Sequence, residues 1–177
     1  MEYTSWGNRG KAGDTRIVHL FEKSDGDIAT FPQVNTGEAT VGEATWQLIS
    51  TTPNTLTAVL PEGVTYTATV PAKKFSRAKE ITIDFGDKQV QAINEGGADW
   101  VYVDATDNKL GQFSGSNNGV RRSITEFEPD VTLTHDEQVF LSWVTRTMLE
   151  SRLAVTTMIA TMSLLLMIPV ALFALIT

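Results

Sequence analysis

The feature that most constrains this chain is an uncharged stretch near its C-terminus. Residues 153–176 read LAVTTMIATMSLLLMIPVALFALI and contain no Asp, Glu, Lys or Arg. As an α-helix, a segment of this length would extend about 36 Å, whereas the hydrocarbon core of a bilayer is about 30 Å thick. Helices of soluble proteins rarely continue this far without a polar face. The stretch therefore predicts a transmembrane helix over 153–176.

Small polar residues within the predicted span indicate a possible contact face. Thr157 and Thr161 are four positions apart, so they lie on the same side of a helix. Small residues allow the backbone of a neighbouring membrane helix to approach closely. We therefore expect Thr157 and Thr161 to contact membrane lipids or a partner subunit.

The residues that flank the span predict its orientation. Arg146 and Arg152 precede it, and only Thr177 follows it. The N-terminal segment has no apolar core of the kind that a signal peptide requires. Positively charged flanks remain on the cytoplasmic side of a membrane. These observations predict a single-pass tail anchor in the cell membrane, with the N-terminal domain in the cytoplasm.

The helix is expected to begin well before the lipid. Thr134 and Glu137 have the spacing of a capping box, in which each side chain binds a backbone N–H of the first helical turn. No Gly or Pro follows until Pro169. Residues 134–152 are therefore predicted to form a juxtamembrane helix that continues into the span.

The apolar residues of this juxtamembrane helix surround most of its circumference. Such a segment needs cover from its own domain, from the membrane interface or from another protein. Trp143 is expected either to anchor at the lipid headgroups or to contact a partner. Arg146 and Glu150 are four residues apart, and either a solvated ion pair between them or contact with a charged partner is predicted.

Residues 15–133 have the pattern of a β domain. They contain about ten short runs rich in β-branched and aromatic residues, separated by turn residues. The spacing favours antiparallel hairpins in a small barrel or sandwich. The predicted fold is therefore mainly β, followed by one long C-terminal helix that spans the membrane. Residues 1–14 are rich in Gly and include Tyr3 and Trp6, and they are predicted to form an extended arm that orders on a partner.

The composition excludes several classes of function. The chain has 177 residues, and 14 Lys and Arg against 21 Asp and Glu give a net charge of −7. An acidic chain of this size fits one domain and does not suit a nucleic-acid binder. The absence of Cys rules out disulfides, thiolate metal sites, iron–sulfur clusters and cysteine nucleophiles.

No catalytic or metal-binding pattern is present in the sequence. Neither His19 nor His135 has the companion ligand expected of a helical metal site. Asp104, Asp107 and Asn108 lie together in one turn, but Asx turns explain them without a calcium ion. The sequence thus predicts a protein that is not an enzyme, with no catalytic residues, no bound cofactor and no metal.

A short basic segment stands out in the otherwise acidic domain. It is read either as a solvated loop or as a patch that attracts anionic lipid headgroups or an acidic partner. Arg121 and Arg122 would extend this patch if they lay beside it. The basic residues of the segment are Lys73, Lys74, Arg77 and Lys79.

Three hairpins in the middle of the chain share one layout. HLFEKSDGDIATF, VYVDATDNKLGQF and, more loosely, ITIDFGDKQVQAI each contain a strand, an acidic turn and a second strand. In this hairpin rhythm the chain resembles the small β domains of the tubby, scramblase and LURP-related group. Those domains wrap a closed sheet around a central helix, which in some members is embedded in a membrane. The resemblance implies a closed barrel and an interaction with lipids.

The overall layout is also similar to that of another group. A mass of 19.4 kDa, no Cys, a Thr-rich acidic β domain and a C-terminal span look like the small accessory subunits of the actinobacterial bcc–cytochrome oxidase respiratory supercomplex. This resemblance implies a non-catalytic subunit, without haem or copper, that stabilises a larger integral membrane complex. The alternatives are a lipid-interacting protein of the scramblase type and a tail-anchored adaptor.

Overall fold

The fold is a barrel of antiparallel strands followed by one long helix. A computed structural model of the protein describes residues 1–23, 26–114 and 123–176, without the side chains of Asn8 and of residues 164–176. The helix α1 spans His135–Ile176. The strands within the described residues are β1 Tyr3–Ala12, β2 Thr15–Glu22, β3 Gly26–Pro32, β4 Gly37–Val41, β5 Ala44–Ile49, β6 Thr55–Val59, β7 Thr65–Thr69, β8 Glu80–Asp84, β9 Gln89–Gly96, β10 Asp99–Asp104, β11 Lys109–Ser114 and β12 Ile124–Phe127. Short 3-10 turns occur at Pro61–Gly63 and Phe75–Arg77.

Each strand pairs with its neighbours in sequence, and β1 pairs with β12 to close the barrel. The predicted hairpin fold is therefore confirmed as a barrel. The sequence analysis did not predict β4. This short strand begins with Gly and Glu, which have low β propensity. Strand β1 was also not predicted.

The prediction of an N-terminal arm over 1–14 is wrong, because β1 is part of the barrel wall. Its residues pair with β2 from Thr4 opposite Glu22 to Ala12 opposite Thr15. The side chains of Thr4 and Trp6 are buried. The high Gly content was misleading, since the closed sheet supplies hydrogen-bond partners on both sides of this strand.

Small and large side chains alternate on the inner surface of the wall. Strand β5 directs Trp46 and Leu48 inward, as period-2 alternation requires. Other strands contribute small buried residues, such as Ala58, Ala68 and Ala92. Eight strands already enclose a space that side chains alone just fill, so twelve strands need additional material inside.

The first half of α1 is that additional material. Six of its large apolar residues have no exposed surface at all: Val139, Phe140, Leu141, Trp143, Val144 and Met148. The segment predicted as a juxtamembrane helix, 134–152, is therefore for the most part the centre of the domain core. The sequence analysis required this apolar surface to be covered by its own domain, by the membrane interface or by another protein. The structure shows cover by its own domain.

The start of α1 is fixed as the sequence predicted. The Thr134 N–H donates to Glu137 Oε2 at 2.7 Å, and the Glu137 N–H donates to Thr134 Oγ1 at 3.3 Å. Glu137 is also paired with Lys88, whose Nζ lies 2.9 Å from Oε2. The capping box is confirmed, and it holds the helix at one mouth of the barrel.

Because consecutive strands are antiparallel, their connections alternate between the two mouths of the barrel. We call the mouth near Thr134 and Lys88 the start end and the opposite mouth, where α1 leaves, the exit end. The connections β2–β3, β4–β5, β6–β7, β8–β9 and β10–β11 lie at the start end. The connections β1–β2, β3–β4, β5–β6, β7–β8 and β9–β10 lie at the exit end.

The second half of α1 extends beyond the barrel. Leu153, Met158, Ile159 and Met162 are all about half exposed or more. Over the part of the helix whose side chains are described, no segment is long and apolar enough to cross a membrane. The span predicted from the sequence continues into 164–176, whose side chains lie outside the described set.

Candidate functional site

The candidate functional site is the exit end, where α1 leaves the barrel. Arg152 makes the last side-chain hydrogen bonds between the described part of the helix and the wall. Its Nη1 donates to the Gly97 carbonyl at 2.7 Å, and its Nη2 donates to the Ala78 carbonyl at 3.0 Å. The guanidinium carbon lies 5.1 Å from the centre of a Trp100 ring, in a cation–π contact. Burial lowers the pKa of Arg152 from its usual value.

Six residues earlier, or about 1.7 helical turns, Arg146 binds the opposite side of the rim. Its Nη2 donates to the carbonyls of Pro32 and Gln33 at 2.8 and 2.9 Å. Its Nε lies 3.3 Å from Glu150 Oε1. Burial lowers the pKa of Arg146, and the charge of Glu150 acts in the opposite direction.

The predicted pairing of Arg146 with Glu150 is confirmed, but the pair is not solvated. The Arg146 side chain has no exposed surface. Glu150 is shared with Arg9, whose Nη2 also lies 3.3 Å from Oε1. Arg146 therefore contacts the rim within the domain. It no longer supports the sequence argument for orientation, which treated it as an exposed charge beside the span.

Trp143 is likewise part of the core, so the prediction that it contacts headgroups or a partner is wrong. It is fully buried and lies parallel to Phe31, with ring centres 6.1 Å apart. It also meets Phe140 edge to face at 5.7 Å. Sequence reasoning could not place it because amphipathic periodicity is lost in a helix that is surrounded by sheet.

Thr157 and Thr161 are exposed on the outer half of α1, and their contact with lipid or a partner stays a prediction. The Thr161 hydroxyl donates to the Thr157 carbonyl at 2.9 Å, and the Thr156 hydroxyl donates to the Arg152 carbonyl at 3.1 Å. These hydroxyl groups are satisfied within the helix itself. The outer surface of the described part of this segment therefore presents few unsatisfied polar groups.

The predicted basic segment lies at the exit end. Lys73 and Lys74 precede the 3-10 turn Phe75–Arg77 in the β7–β8 connection, and Lys79 follows it. This connection contacts α1 through the Arg152 bond to Ala78. Apart from Arg9, which is paired with Glu150, we call the exposed cations at this end the basic collar: Lys11, Arg16, Lys73, Lys74, Arg77 and Lys79. Arg121 and Arg122, which the sequence offered as an extension of the patch, lie outside the described residues.

The start end has the opposite character. Its connections and the segment that leads into α1 carry the acidic residues Glu43, Glu62, Asp87, Asp104, Asp107 and Asp130. The described Lys residues at this end are all neutralised at 2.9 Å, in the pairs Lys23–Glu2, Lys88–Glu137 and Lys109–Glu128. At the exit end Arg9 is paired with Glu150, but none of the basic collar forms an ion pair with a described residue. The molecule is therefore electrically polarised along its helix.

Buried hydroxyl groups tie the wall to the inner half of α1. Thr4 and Ser142 have their hydroxyl oxygens 2.6 Å apart, and Trp6 Nε1 donates to the Ser142 carbonyl at 3.1 Å. The Tyr102 hydroxyl lies 3.0 Å from the Leu141 carbonyl oxygen and 2.8 Å from Thr145 Oγ1. Burial raises the pKa of Tyr102, so this group keeps its proton. These bonds serve packing and fix the rotation of the helix in the barrel.

His19 and Asp104, which the sequence analysis considered as metal ligands, form hydrogen bonds with nearby residues of the domain. His19 Nδ1 lies 2.7 Å from Asp27 Oδ2 on the outer face of the sheet. Asp104 Oδ1 accepts bonds from the Thr106 N–H and hydroxyl, both at 2.8 Å, and from the Asn108 N–H at 3.0 Å. These bonds lower the pKa of Asp104 to about 2 and confirm the Asx-turn interpretation. In the described part of the chain, no three His, Asp or Glu side chains are grouped to hold a metal ion.

Comparison of the chain with protein-family models, with curated proteins and with solved structures gave no match.

Proposed function

We propose that this protein is a non-catalytic subunit anchored in a membrane by the outer half of α1. The observation that carries the proposal is the division of one helix at Arg152. Up to Arg152 the helix is held by the barrel, and directly after it the helix is exposed and apolar. Exposed apolar surface of this extent is characteristic of segments that contact lipid or another protein.

The sequence of the outer half supports insertion into a bilayer. Residues 153–176 contain no charged side chain. The hydroxyl groups of Thr156 and Thr161 bind carbonyls of their own helix, so the cost of transferring them into hydrocarbon is reduced. The single-pass arrangement that we infer places the barrel beside the membrane and the whole outer half of α1 within it.

A role in stabilising a larger membrane complex fits the filled interior of the barrel. Open barrels can hold small ligands, but here α1 occupies that space with Phe140, Trp143 and their neighbours. We assign the contact with the complex to the exit end and the outer helix. We infer that the host is an integral membrane complex of the respiratory chain, as the resemblance to accessory subunits of the actinobacterial supercomplex implies, and that the protein itself carries no cofactor.

Interaction with lipid is the second candidate function, and the position of α1 favours it. A closed barrel around a helix that continues outward is the arrangement that the resemblance to the tubby, scramblase and LURP-related group implies. A scramblase-type activity would be measured as movement of fluorescent lipid between the leaflets of vesicles that contain the purified protein. Movement above that of empty vesicles would favour this candidate over an accessory or adaptor role.

The anchor is tested by comparing the full chain with a chain that ends at Arg152. We expect the full chain to remain in the membrane pellet after extraction at alkaline pH, whereas the shortened chain should be released as a folded β protein. The core contacts of α1 end at Leu149 and Arg152, so the shortened chain retains them. Release of both chains would contradict a membrane anchor.

The partner contact is tested on the exposed face of the outer helix. Replacing Thr157 and Thr161 with Leu adds bulk and raises hydrophobicity, so membrane insertion should be unchanged while co-purification with the host complex falls. The matched control is Thr156→Leu with Ser163→Leu, the same kind of change about a quarter to a third of a turn away. Equal retention of all three proteins in a quantitative pull-down would exclude the Thr157 face as the contact.

A further inference from the structure

The exit end of the barrel lies directly against the start of the apolar helix. Arg152 binds the rim through Ala78 and Gly97, and the uncharged segment begins at the next residue. There is no linker between the two, and no Gly or Pro interrupts the helix until Pro169. If residues 153–176 enter a bilayer, the rim cannot stand away from the headgroups.

The charges on this rim match the chemistry of an anionic headgroup layer. The six residues of the basic collar are exposed, and none of them forms an ion pair with a described residue. Asp14, Glu80, Glu95 and Asp99 are also at this end, while Glu150 is already neutralised by Arg9 and Arg146. Unpaired Lys and Arg within a Debye length of an anionic leaflet are attracted to it.

A cleft in the same rim lies between α1 and the β5–β6 and β7–β8 connections. Its lining is mixed: Lys74, Ser76 and Ser151 are polar, whereas Phe75, Ala154 and Val155 are apolar. A lipid joins a charged phosphate to apolar acyl chains, so this mixed lining favours lipid over an acidic protein as the occupant of the surface.

We propose that the exit end is a docking surface for an anionic lipid leaflet, with the basic collar on the phosphate groups and the start end directed away from the membrane. The proposal rests on the membrane anchor proposed above and specifies which face of the barrel meets the bilayer. It also assigns a task to the β7–β8 segment, which would hold the barrel upright on its anchor.

Two exposed valines allow the orientation to be measured in the full chain. Val34 lies in the β3–β4 connection at the exit end and is 62% exposed, and Val64 lies near the β6–β7 connection at the start end and is 45% exposed. Because the chain has no Cys, Val34→Cys and Val64→Cys each provide one site for a nitroxide label. The two ends are separated by about 27 Å, the length of the inner helix.

The labelled chains are reconstituted into phosphatidylcholine vesicles with one quarter phosphatidylglycerol and a trace of a lipid that carries a nickel chelate on its headgroup. Flotation first shows whether the chain is in the vesicles, which tests the anchor separately. We expect the nickel to relax the nitroxide at position 34 strongly and the one at position 64 weakly. Equal relaxation at the two positions in chains that float would overturn the proposal.

Charge is tested with Lys73→Gln combined with Lys74→Gln, which removes two cations from the collar. The matched control, Lys23→Gln with Lys109→Gln, makes the same change of net charge at the start end. Preference for spin-labelled phosphatidylglycerol over phosphatidylcholine should fall by up to about fivefold per collar charge at low salt and remain unchanged in the control. A collar variant that floats and keeps the wild-type preference would overturn the lipid contact and leave the surface to an acidic protein partner.

Discussion

Gly111 of β11 is a position where the backbone of the neighbouring strand leaves no room for a side chain. A Cβ there would collide with the Glu126 carbonyl oxygen on β12 and would lie 3.3 Å from Phe127 Cδ1. Gly111→Ala should therefore lower the free energy of unfolding by about 1–3 kcal/mol, as overpacking does. Urea unfolding of the chain that ends at Arg152 measures this change.

Gly10→Ala is the control for that measurement. A Cβ at position 10 would meet Ile17 Cγ1 at 3.7 Å, which is an ordinary contact. Its free energy of unfolding should therefore change far less than that of Gly111→Ala. Two variants of equal stability would show that the β11–β12 wall yields more easily than its geometry indicates.

The hydrogen bonds of Asp104 predict how its protonation, and with it the stability of the fold, depends on pH. Its pKa is lowered from 3.8 to about 2 by bonds from Thr106 and Asn108. A carboxyl group with a depressed pKa in the folded state stabilises that state above its unfolded pKa, and the contribution is lost as pH falls through the folded pKa. We therefore expect a carbon-13 NMR titration of Asp104 with a midpoint near pH 2. The difference in the free energy of unfolding between the wild-type chain and Asp104→Asn should become smaller below pH 4. A titration midpoint near the ordinary pKa of Asp would contradict the hydrogen-bonded turn.

Sequence reasoning succeeded for residues whose environment is local. The capping box of Thr134 and Glu137 and the Asx turn of Asp104 involve neighbours within four positions, so spacing alone predicts them. It failed for Trp143 and Arg146. Their surroundings come from Phe31, Pro32 and Gln33, more than a hundred positions away, and no local pattern encodes such contacts.

Of the secondary-structure elements, α1 contributes the most fully buried large apolar side chains to the core. Each of its fully buried apolar side chains is worth about 1.5–3 kcal/mol, so together they rival the 5–15 kcal/mol net stability of a typical domain. A chain that ends at Arg152 should therefore unfold cooperatively, whereas a chain that ends at Thr134 should not fold. Circular dichroism and thermal melting check both. A folded β signal from the shorter chain would show that the barrel does not need its helix.

Hairpin elements were predicted more reliably than the elements that close the barrel. Strands β8 to β11 follow one another through tight turns, and their alternating pattern was sufficient. Strand β1 pairs with β12 across almost the whole chain, from Tyr3 opposite Glu126 to Ser5 opposite Ile124. Pairing between strands so far apart in sequence cannot be inferred from local periodicity. This strand of the wall was therefore predicted to be an extended arm.

The whole molecule is polarised, and this bears on its orientation across a membrane. The three similar hairpins found in the sequence, β2–β3, β8–β9 and β10–β11, each lead from an even to an odd strand, so their acidic turns fall at one mouth. The cations of the collar gather at the other. The acidic turns of the sequence repeat therefore lie at the start end. The repeat alone did not predict this, because the mouth at which each turn lies depends on the order of the strands.

Arg152 directly precedes the proposed span, so the positive-inside rule predicts that the barrel faces the cytoplasm. A cysteine introduced at Val64, at the end directed away from the bilayer, should react with a membrane-impermeant maleimide only after cells are opened. The reagent finds no other thiol, because the chain has none. Labelling in intact cells would reverse the orientation, and the anchor itself would be unaffected by that result.

The passage of α1 through the barrel also restricts the order of events during folding. The helix begins at one mouth and leaves by the other, so a ring that closed first would have to be threaded by the entire apolar tail. The β1–β12 seam joins strands more than a hundred positions apart, whereas every other pairing joins strands that are neighbours in sequence. The wall must remain open at a seam until α1 is in place, and the seam between the two most distant strands is the natural candidate. Once it has closed, barrel and tail cannot be separated without breaking a strand pairing.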